Sequence, residues 1–145
     1  MRPVNNELQN KIKSFLSTNK DLMGSPATAH QIESAEKELS THFYVQYIEF
    51  IKIFGGSYAG ISIHAFQNGP LIGKATVTEL TTRFRDRYDT QHFPQLDGAY
   101  VIADDGNGNP VLMNPAGKIY LYLHEEDDLE LLYSSLDELL KQTFI

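Results

Sequence analysis

Apolar residues recur at helical spacing through the first third of the chain. The i, i+3, i+4, i+7 pattern predicts amphipathic helices over residues 5–17, about 28–39 and about 43–54. Thr28 and Gln31 have the spacing of a capping box, which places the start of the second helix. Gly55 and Gly56 then end the third helix, as glycines commonly do. The N-terminal third is therefore predicted to be helical.

The patterns that follow are mostly those of strands. Alternating apolar and polar residues predict a strand over 61–66. Short apolar runs on either side of the turn residues 104–109 predict strands over 100–103 and 110–113, and a further strand is predicted over 118–124. A threonine-rich helix is predicted over 77–88, after the first strand. The loop 104–109 is rich in residues that tolerate positive φ, so the strands on either side of it form a predicted hairpin. Ser135, with Glu138 three residues later, marks the start of a last helix.

Helices segregated from antiparallel hairpins predict an α+β fold. We expect a single domain over residues 1–145, in which an antiparallel and mostly meandering sheet packs against the N-terminal helices and a C-terminal helix. The acidic run 125–130 is interpreted as the connection between the last strand and the last helix.

Composition narrows the class of protein. An apolar content of 41% and a charged content of 21% are ordinary for a soluble globular protein. The absence of cysteine excludes disulfides, thiolate metal sites and cysteine nucleophiles. The first residues lack the apolar segment of a signal peptide, and no apolar run approaches the ~20 residues of a membrane span. We therefore expect a cytoplasmic protein that does not enter a membrane.

The net charge is concentrated in the last 45 residues. Residues 101–145 carry nine acids and two lysines and so account for the whole net charge of −7, whereas residues 1–100 are neutral overall. A molecule with one negative end attracts basic partners and repels nucleic acid and anionic membranes. This asymmetry favours a protein-binding surface over a catalytic pocket.

The motifs that suggest specific chemistry fail on closer reading. Gly106-Asn107-Gly108 lacks the third glycine and the helix of a dinucleotide-binding turn. A calcium loop starting at Asp105 would need glycine and glutamate where the chain has Pro110 and Ala116. No two histidines have the i, i+4 spacing of a helical metal site. The sequence therefore predicts no catalytic, cofactor-binding or metal-binding residues, and no enzyme activity.

Three arginines lie close together on the predicted helix 77–88, at Arg83, Arg85 and Arg87. An anion or RNA contact is the functional interpretation, but Glu79 stands four residues before Arg83 in the order that favours an ion pair. The sequence pI of about 5.1 also argues against nucleic-acid binding. A solvated helix face is the preferred interpretation. His64 and His92 are likewise interpreted as ordinary polar surface.

The order of these motifs resembles one family over nearly the whole chain. The helix 32–39, followed by Phe43, Tyr47, Phe50 and Gly55-Gly56, resembles the N-terminal signature of the SUKH superfamily. Residues 100–109, 117–120 and 135–140 resemble its central strand–turn–strand, its next strand and its closing helix. The superfamily includes fungal cell-wall-assembly (glucan synthesis) regulators and bacterial immunity proteins of polymorphic toxin systems. Tyr44 and Gly55 depart from its usual proline and asparagine.

The resemblance implies a non-catalytic α+β binding scaffold. It implies framework roles for a set of residues on the helix stripes and at the turns: Glu36, Tyr47, Phe50, Gly56, Gly108 and Asn109. It also implies a function: binding and neutralising a cognate polymorphic toxin, with nuclease toxins among the candidates. The alternative is a regulatory adaptor of cell-wall or glucan synthesis.

The expected partner is a basic toxin domain, and no cofactor is expected. Nuclease toxins tend to be basic, so the acidic run supplies the predicted partner-binding residues: Glu125, Glu126, Asp127, Asp128 and Glu130. Asp104 and Asp105 join them if the hairpin turn lies at the same end of the fold. The competing interpretation is that the run 125–130 is only a solvated turn.

Overall fold

The structure, a computed structural model, describes residues 6–144. The helices in this part of the chain are α1 (Asn6–Ser17), α2 (Ala29–Leu39), α3 (Val45–Phe54), α4 (Val77–Arg87) and α5 (Leu136–Thr143). The strands are β1 (Ser57–Tyr58), β2 (Ser62–Ile63), β3 (Tyr100–Asp104), β4 (Pro110–Met113), β5 (Ile119–Leu123) and β6 (Asp128–Tyr133). Short 3₁₀ turns occupy Lys20–Leu22 and Pro94–Leu96. The predicted α+β class is confirmed; of the first predicted helix, residue 5 lies outside the described residues.

The main sheet is a four-stranded antiparallel meander in the order β3-β4-β5-β6. The sequence analysis predicted three of these strands and missed β6, because it interpreted the acidic run as a connection. The run instead covers the turn after β5 and the first residues of β6. Asp128-Leu129-Glu130-Leu131 alternates as a strand does, and charged residues are common on strands at a sheet edge. The prediction that the run 125–130 only connects the last strand to the last helix was therefore wrong.

The first predicted strand, 61–66, is shorter than expected. Only Ser62 and Ile63 pair, with Tyr58 and Ser57 in a separate two-stranded sheet. Beyond Ile63 the backbone groups find other partners. The N–H of His64 donates to the carbonyl of Ile102 (2.8 Å), and the N–H of Ala65 donates to the side-chain oxygen of Asn68 (2.8 Å).

Side-chain caps fix where the helices begin. The Thr28 hydroxyl accepts the N–H of Gln31 (3.1 Å) and the Gln31 side chain accepts the N–H of Thr28 (2.9 Å), which is the predicted capping box. Thr76 and Glu79 form a second box at α4, which the sequence analysis missed by weighing only the low helix propensity of threonine. Ser135 caps α5 as predicted, and its hydroxyl accepts the N–H of Glu138 (3.1 Å).

The sheet lies between two apolar clusters. Alternate residues of β3, β4 and β5, including Ile102, Met113 and Ile119, pack with α1, α2, α3 and α5. The opposite face, including Leu112 and Tyr122, packs with α4 and with the segment that follows it. At one end of the sheet Tyr100, Met113 and Ile119 are buried, whereas at the other end Asp104 and Asp128 are exposed to solvent. Within residues 6–144, no helix has the length and apolar content that crossing a membrane would require.

Candidate protein-binding surface

Two turns of the meander meet at one end of the sheet. The turn between β3 and β4 and the turn between β5 and β6 are joined by Asn109, whose side-chain oxygen accepts the backbone N–H of His124 (3.2 Å) and its ring Nδ1–H (2.7 Å). The hairpin turn with Asp104 and Asp105 therefore lies at the same end of the fold as the run 125–130. We call the resulting surface the acidic end; its residues are Asp104, Asp105, Glu125, Glu126, Asp127, Asp128 and Glu130.

The carboxylates of the β3–β4 turn build the turn itself. Asp105 accepts the backbone N–H groups of Asn107 (2.8 Å) and Asn109 (3.0 Å), and also the side-chain amide of Asn109 (2.9 Å). Desolvation acts to raise the pKa of Asp105, but these hydrogen bonds outweigh it and the pKa lies below its ordinary value. Asp104 accepts the N–H of Gly106 (2.7 Å). Both side chains are exposed and add charge, but their geometry is tied to the turn, in which Gly108 also lies.

Asp127 holds the β5–β6 turn to the segment after α4. Its two carboxylate oxygens accept the Tyr122 hydroxyl (2.7 Å) and the His92 Nε2–H (2.8 Å). The hydrogen bond from Tyr122, together with the bond and charge of His92, outweighs desolvation and lowers the pKa of Asp127. Desolvation and the bond to Asp127 raise the pKa of Tyr122 to about 12. His92 lies on the polar surface, as predicted, and in addition it bonds Asp127 there.

The other four carboxylates of the acidic end face solvent without ion pairs. Glu125 and Glu126 lie in the turn, and Asp128 and Glu130 lie on β6, all exposed. Among the described residues, none of them has a lysine, arginine or histidine nitrogen within 4.0 Å. They are the part of the predicted binding surface that the fold leaves available.

The predicted framework residue Glu36 organises the connection between α2 and α3. Its carboxylate accepts the N–H of Phe43 (2.8 Å). The next N–H, of Tyr44, donates to the hydroxyl of Tyr100 (2.8 Å), and burial raises the pKa of Tyr100 well above its ordinary value. Tyr44 has φ −65°, which suits proline as well, but proline has no N–H to donate. Because residue 44 is tyrosine rather than the family's usual proline, its N–H can donate this hydrogen bond to Tyr100 of β3.

Tyr47 and Phe50 are buried on α3, as the helical stripe predicts. The Tyr47 hydroxyl donates to the carbonyl of His64 (2.7 Å), and burial, with a smaller effect of Tyr100, raises the pKa of Tyr47. The His64 ring in turn donates from Nδ1 to the carbonyl of Ala75 (2.8 Å). His64 is half-buried in this network, so its interpretation as polar surface was wrong.

Gly56 leaves room for the side chain of Asn68, which bonds three backbone groups and was not predicted from the sequence. A Cβ at Gly56 would collide with the Asn68 side chain. The Asn68 amide donates to the carbonyls of Gly73 (2.9 Å) and Ala75 (2.8 Å), while its oxygen accepts the N–H of Ala65. From the sequence, Asn68-Gly69-Pro70 is recognisable only as a turn. The hydrogen bonds of the Asn68 side chain leave no periodic pattern in the sequence.

The arginines of α4 differ in role. Arg85 donates to the carbonyls of Leu39 (2.7 Å) and Ala99 (3.3 Å) and so ties α2 to the start of β3, and desolvation lowers its pKa. Arg85 is exposed, in keeping with the predicted solvated face, but it also makes these two hydrogen bonds. Arg83 and Arg87 are exposed, and they line a groove of about 200 Å³ between α4 and β3 that ends at Asp104.

The concave surface beside Arg85 has few titratable lining residues. A cavity of about 560 Å³ lies between α2, α4 and the segment 90–98, and its titratable lining residues are Arg85 and Asp97. Arg85 already donates to two carbonyls there. Within residues 6–144, no three histidine, aspartate or glutamate side chains converge to hold a metal ion.

Together, the fold and the contacts define a small α+β protein: a helix-flanked meander, braced by the contacts of Glu36, Tyr47 and Gly56, with one acidic end. The sequence model of the SMI1 / KNR4 family (SUKH-1) matches residues 26–142, a range that includes every framework residue and the whole acidic end. The chain belongs to this family, within the SUKH superfamily that its motifs resemble. No curated protein matches it.

Proposed function

We propose that the protein is an immunity protein, which binds a cognate toxin domain of basic charge and neutralises it by binding rather than by catalysis. The observation that carries this proposal is the meeting of two turns at one end of the sheet, linked by Asn109 and His124. This contact gathers seven acidic residues at one end, and within the described structure all of them except Asp127 lack an ion pair. A field of one sign accelerates the association of a partner of opposite sign and disfavours wrong partners.

Family membership supports a second candidate equally well, a regulatory adaptor of cell-wall or glucan synthesis. The charge of the acidic end favours the immunity protein over the adaptor, because binding a basic toxin requires an acidic surface and the adaptor role does not. Capture of partners by the full chain from a native lysate, followed by mass spectrometry, distinguishes them. A basic polypeptide whose toxicity is suppressed by co-expression of this chain supports immunity. Wall-synthesis machinery, with no toxin present, supports the adaptor.

The contribution of the acidic end can be measured with a charge-neutralised variant. We expect Glu125→Gln, Glu126→Gln, Asp128→Asn and Glu130→Gln together to slow association with the captured basic partner at least tenfold at low salt and to flatten its salt dependence. The dissociation rate should change less. Association rates at several ionic strengths, from surface plasmon resonance or stopped flow, provide the measurement.

The matched control removes the same number of charges elsewhere. Glu33, Glu38, Asp86 and Asp97 are exposed acids outside the acidic end, and their neutral amide variants should retain most of the association rate. If both quadruple variants slow association equally, only the net charge matters and the proposed surface is wrong. If neither variant changes the rate, electrostatic capture is wrong altogether.

A further inference from the structure

The outer edge of β6 is an open strand edge. β6 is the last strand of the order β3-β4-β5-β6 and pairs with β5 from Asp128 to Tyr133. Within the described residues no strand lies beyond it. The other edge strand, β3, is covered differently: α4 packs against it and the N–H of His64 donates to its residue Ile102. The β3 edge is therefore partly covered, whereas in the described part of the chain no strand pairs with the outer edge of β6, and helix α5 contacts β6, which it follows after Ser134 and Ser135.

The side chains of β6 alternate in chemistry. Asp128 and Glu130 stand opposite Leu123 and Leu121 of β5, and so share one face of the sheet. Leu129 and Leu131 are on the other face. Leu131 is 52% exposed, although its neighbour Leu129 packs against the cluster under α4. The open edge thus offers two carboxylates on one face and an uncovered apolar side chain on the other.

The side chains on the edge of β6 favour a basic strand over a second copy of this chain as the binding partner. A second copy of this chain pairing through β6 would bring Asp128 and Glu130 close to the same carboxylates of its partner, and like charges across a strand pair are destabilising. A basic strand meets them favourably. Because side chains alternate between faces, the same strand can place apolar residues over Leu131.

We propose that β6 takes up an extended segment of a basic partner as a fifth strand, whose alternate residues are basic towards Asp128 and Glu130 and apolar towards Leu129 and Leu131. This inference rests on the proposed function for the basic character of the partner and adds the mode of binding. Main-chain hydrogen bonds to the open edge give affinity in such complexes, and the alternating side chains give specificity.

The test uses the full chain and a synthetic peptide with blocked ends, Gly-Lys-Val-Lys-Val-Lys-Val-Gly. We expect it to bind and to slow amide hydrogen exchange at residues 129–132. The same peptide N-methylated at two consecutive central residues cannot pair along either edge and should bind at least tenfold more weakly. A peptide of the same composition with its lysines and valines in separate blocks tests whether the alternation matters.

Two matched leucine variants locate the contact. Leu131→Lys should weaken binding of the alternating peptide about tenfold, because it replaces an apolar contact with the valines by a charge that has no partner on that face. Leu71→Lys makes the same change at a loop leucine that is 69% exposed and should leave binding unchanged. Leu131→Thr, which keeps a strand-compatible side chain, should give an intermediate loss. Far-UV circular dichroism checks that each variant is folded.

Each contrary result has a distinct meaning. If the alternating peptide does not bind, or if the N-methylated peptide binds equally well, strand addition is wrong, while capture of a basic toxin by the acidic end still stands. Equal losses for Leu131→Lys and Leu71→Lys also overturn the proposal. If the free protein dimerises and Leu131→Lys abolishes the dimer, the occupant is a second copy and the proposal is wrong.

Discussion

At the scale of single residues, contacts across the fold explain why unusual residues are tolerated. The ring of Tyr44 lies directly against Gly117, in the turn between β4 and β5. A Cβ on Gly117 would stand 2.5–2.6 Å from three ring atoms of Tyr44. Gly117 also has φ +90°, where a side chain is strained. The substitution of the family's usual proline by Tyr44 thus depends on a glycine far away in sequence.

Gly117→Ala should therefore be costly, and Gly106→Ala provides its control. Gly106 has φ +84° but has open space where its Cβ would lie, so its substitution should cost only the backbone strain of about 1–2 kcal/mol. Gly117→Ala should cost about 1–3 kcal/mol more, because its methyl group meets the Tyr44 ring. Denaturant unfolding measures both. In a Tyr44→Ala background, Gly117→Ala should lose this additional cost in the free energy of unfolding. Equal costs for Gly117→Ala and Gly106→Ala would show that the contact with Tyr44 has no effect on stability.

At the scale of elements, the β5–β6 turn depends on one ionised group. Asp127 adopts φ +49° at the end of the turn and bonds Tyr122 and His92. A carboxylate with a lowered pKa stabilises the fold above its unfolded pKa of about 3.9, and this contribution is lost as the pH falls through the folded pKa. A tyrosine with a raised pKa stabilises the fold below its unfolded pKa of about 10 and loses this contribution as the pH rises towards 12.

We expect Asp127→Asn to be less stable than the wild type at about pH 5, where Asp127 is ionised. The difference should shrink below about pH 4, because the wild type then protonates Asp127 and loses the same interaction. At alkaline pH, the advantage of the wild type over Tyr122→Phe should decline between about pH 10 and 12. Free energies of unfolding across pH provide the measurement. Parallel pH curves for wild type and Asp127→Asn would show that the turn does not depend on this carboxylate.

At the scale of the whole molecule, the last helix joins the chain's C-terminal part to the N-terminal helices. Leu136, Leu139 and Leu140 of α5 are buried in the main cluster. The Gln46 side chain of α3 accepts the N–H of Asp137 (3.0 Å), and the Phe144 ring meets Phe15 of α1 edge-on at 5.5 Å. Helix α5 is therefore part of the core, and the acidic end lies on elements that this core supports.

Leu140→Ala should destabilise the protein by about 2–5 kcal/mol, because it leaves a cavity in this core. Leu71→Ala, at a leucine that is 69% exposed, should change the free energy of unfolding by less than about 0.5 kcal/mol. Denaturant unfolding followed by far-UV circular dichroism compares the two. A small loss for Leu140→Ala would mean that α5 is not docked as described.

Features that depend on near neighbours follow from the amino-acid sequence alone: the α+β class, the five helices with their apolar stripes, the caps at Thr28 and Ser135, the β3–β4 hairpin and the charge of the C-terminal part. Periodicity and caps act over a few residues, and charge is additive along the chain. Three features emerge from the folded chain alone: the two acidic turns meet, β6 is an edge strand, and Asp127 binds His92, 35 residues away. Strand register and loop closure set such contacts, and neither leaves a local pattern in the sequence.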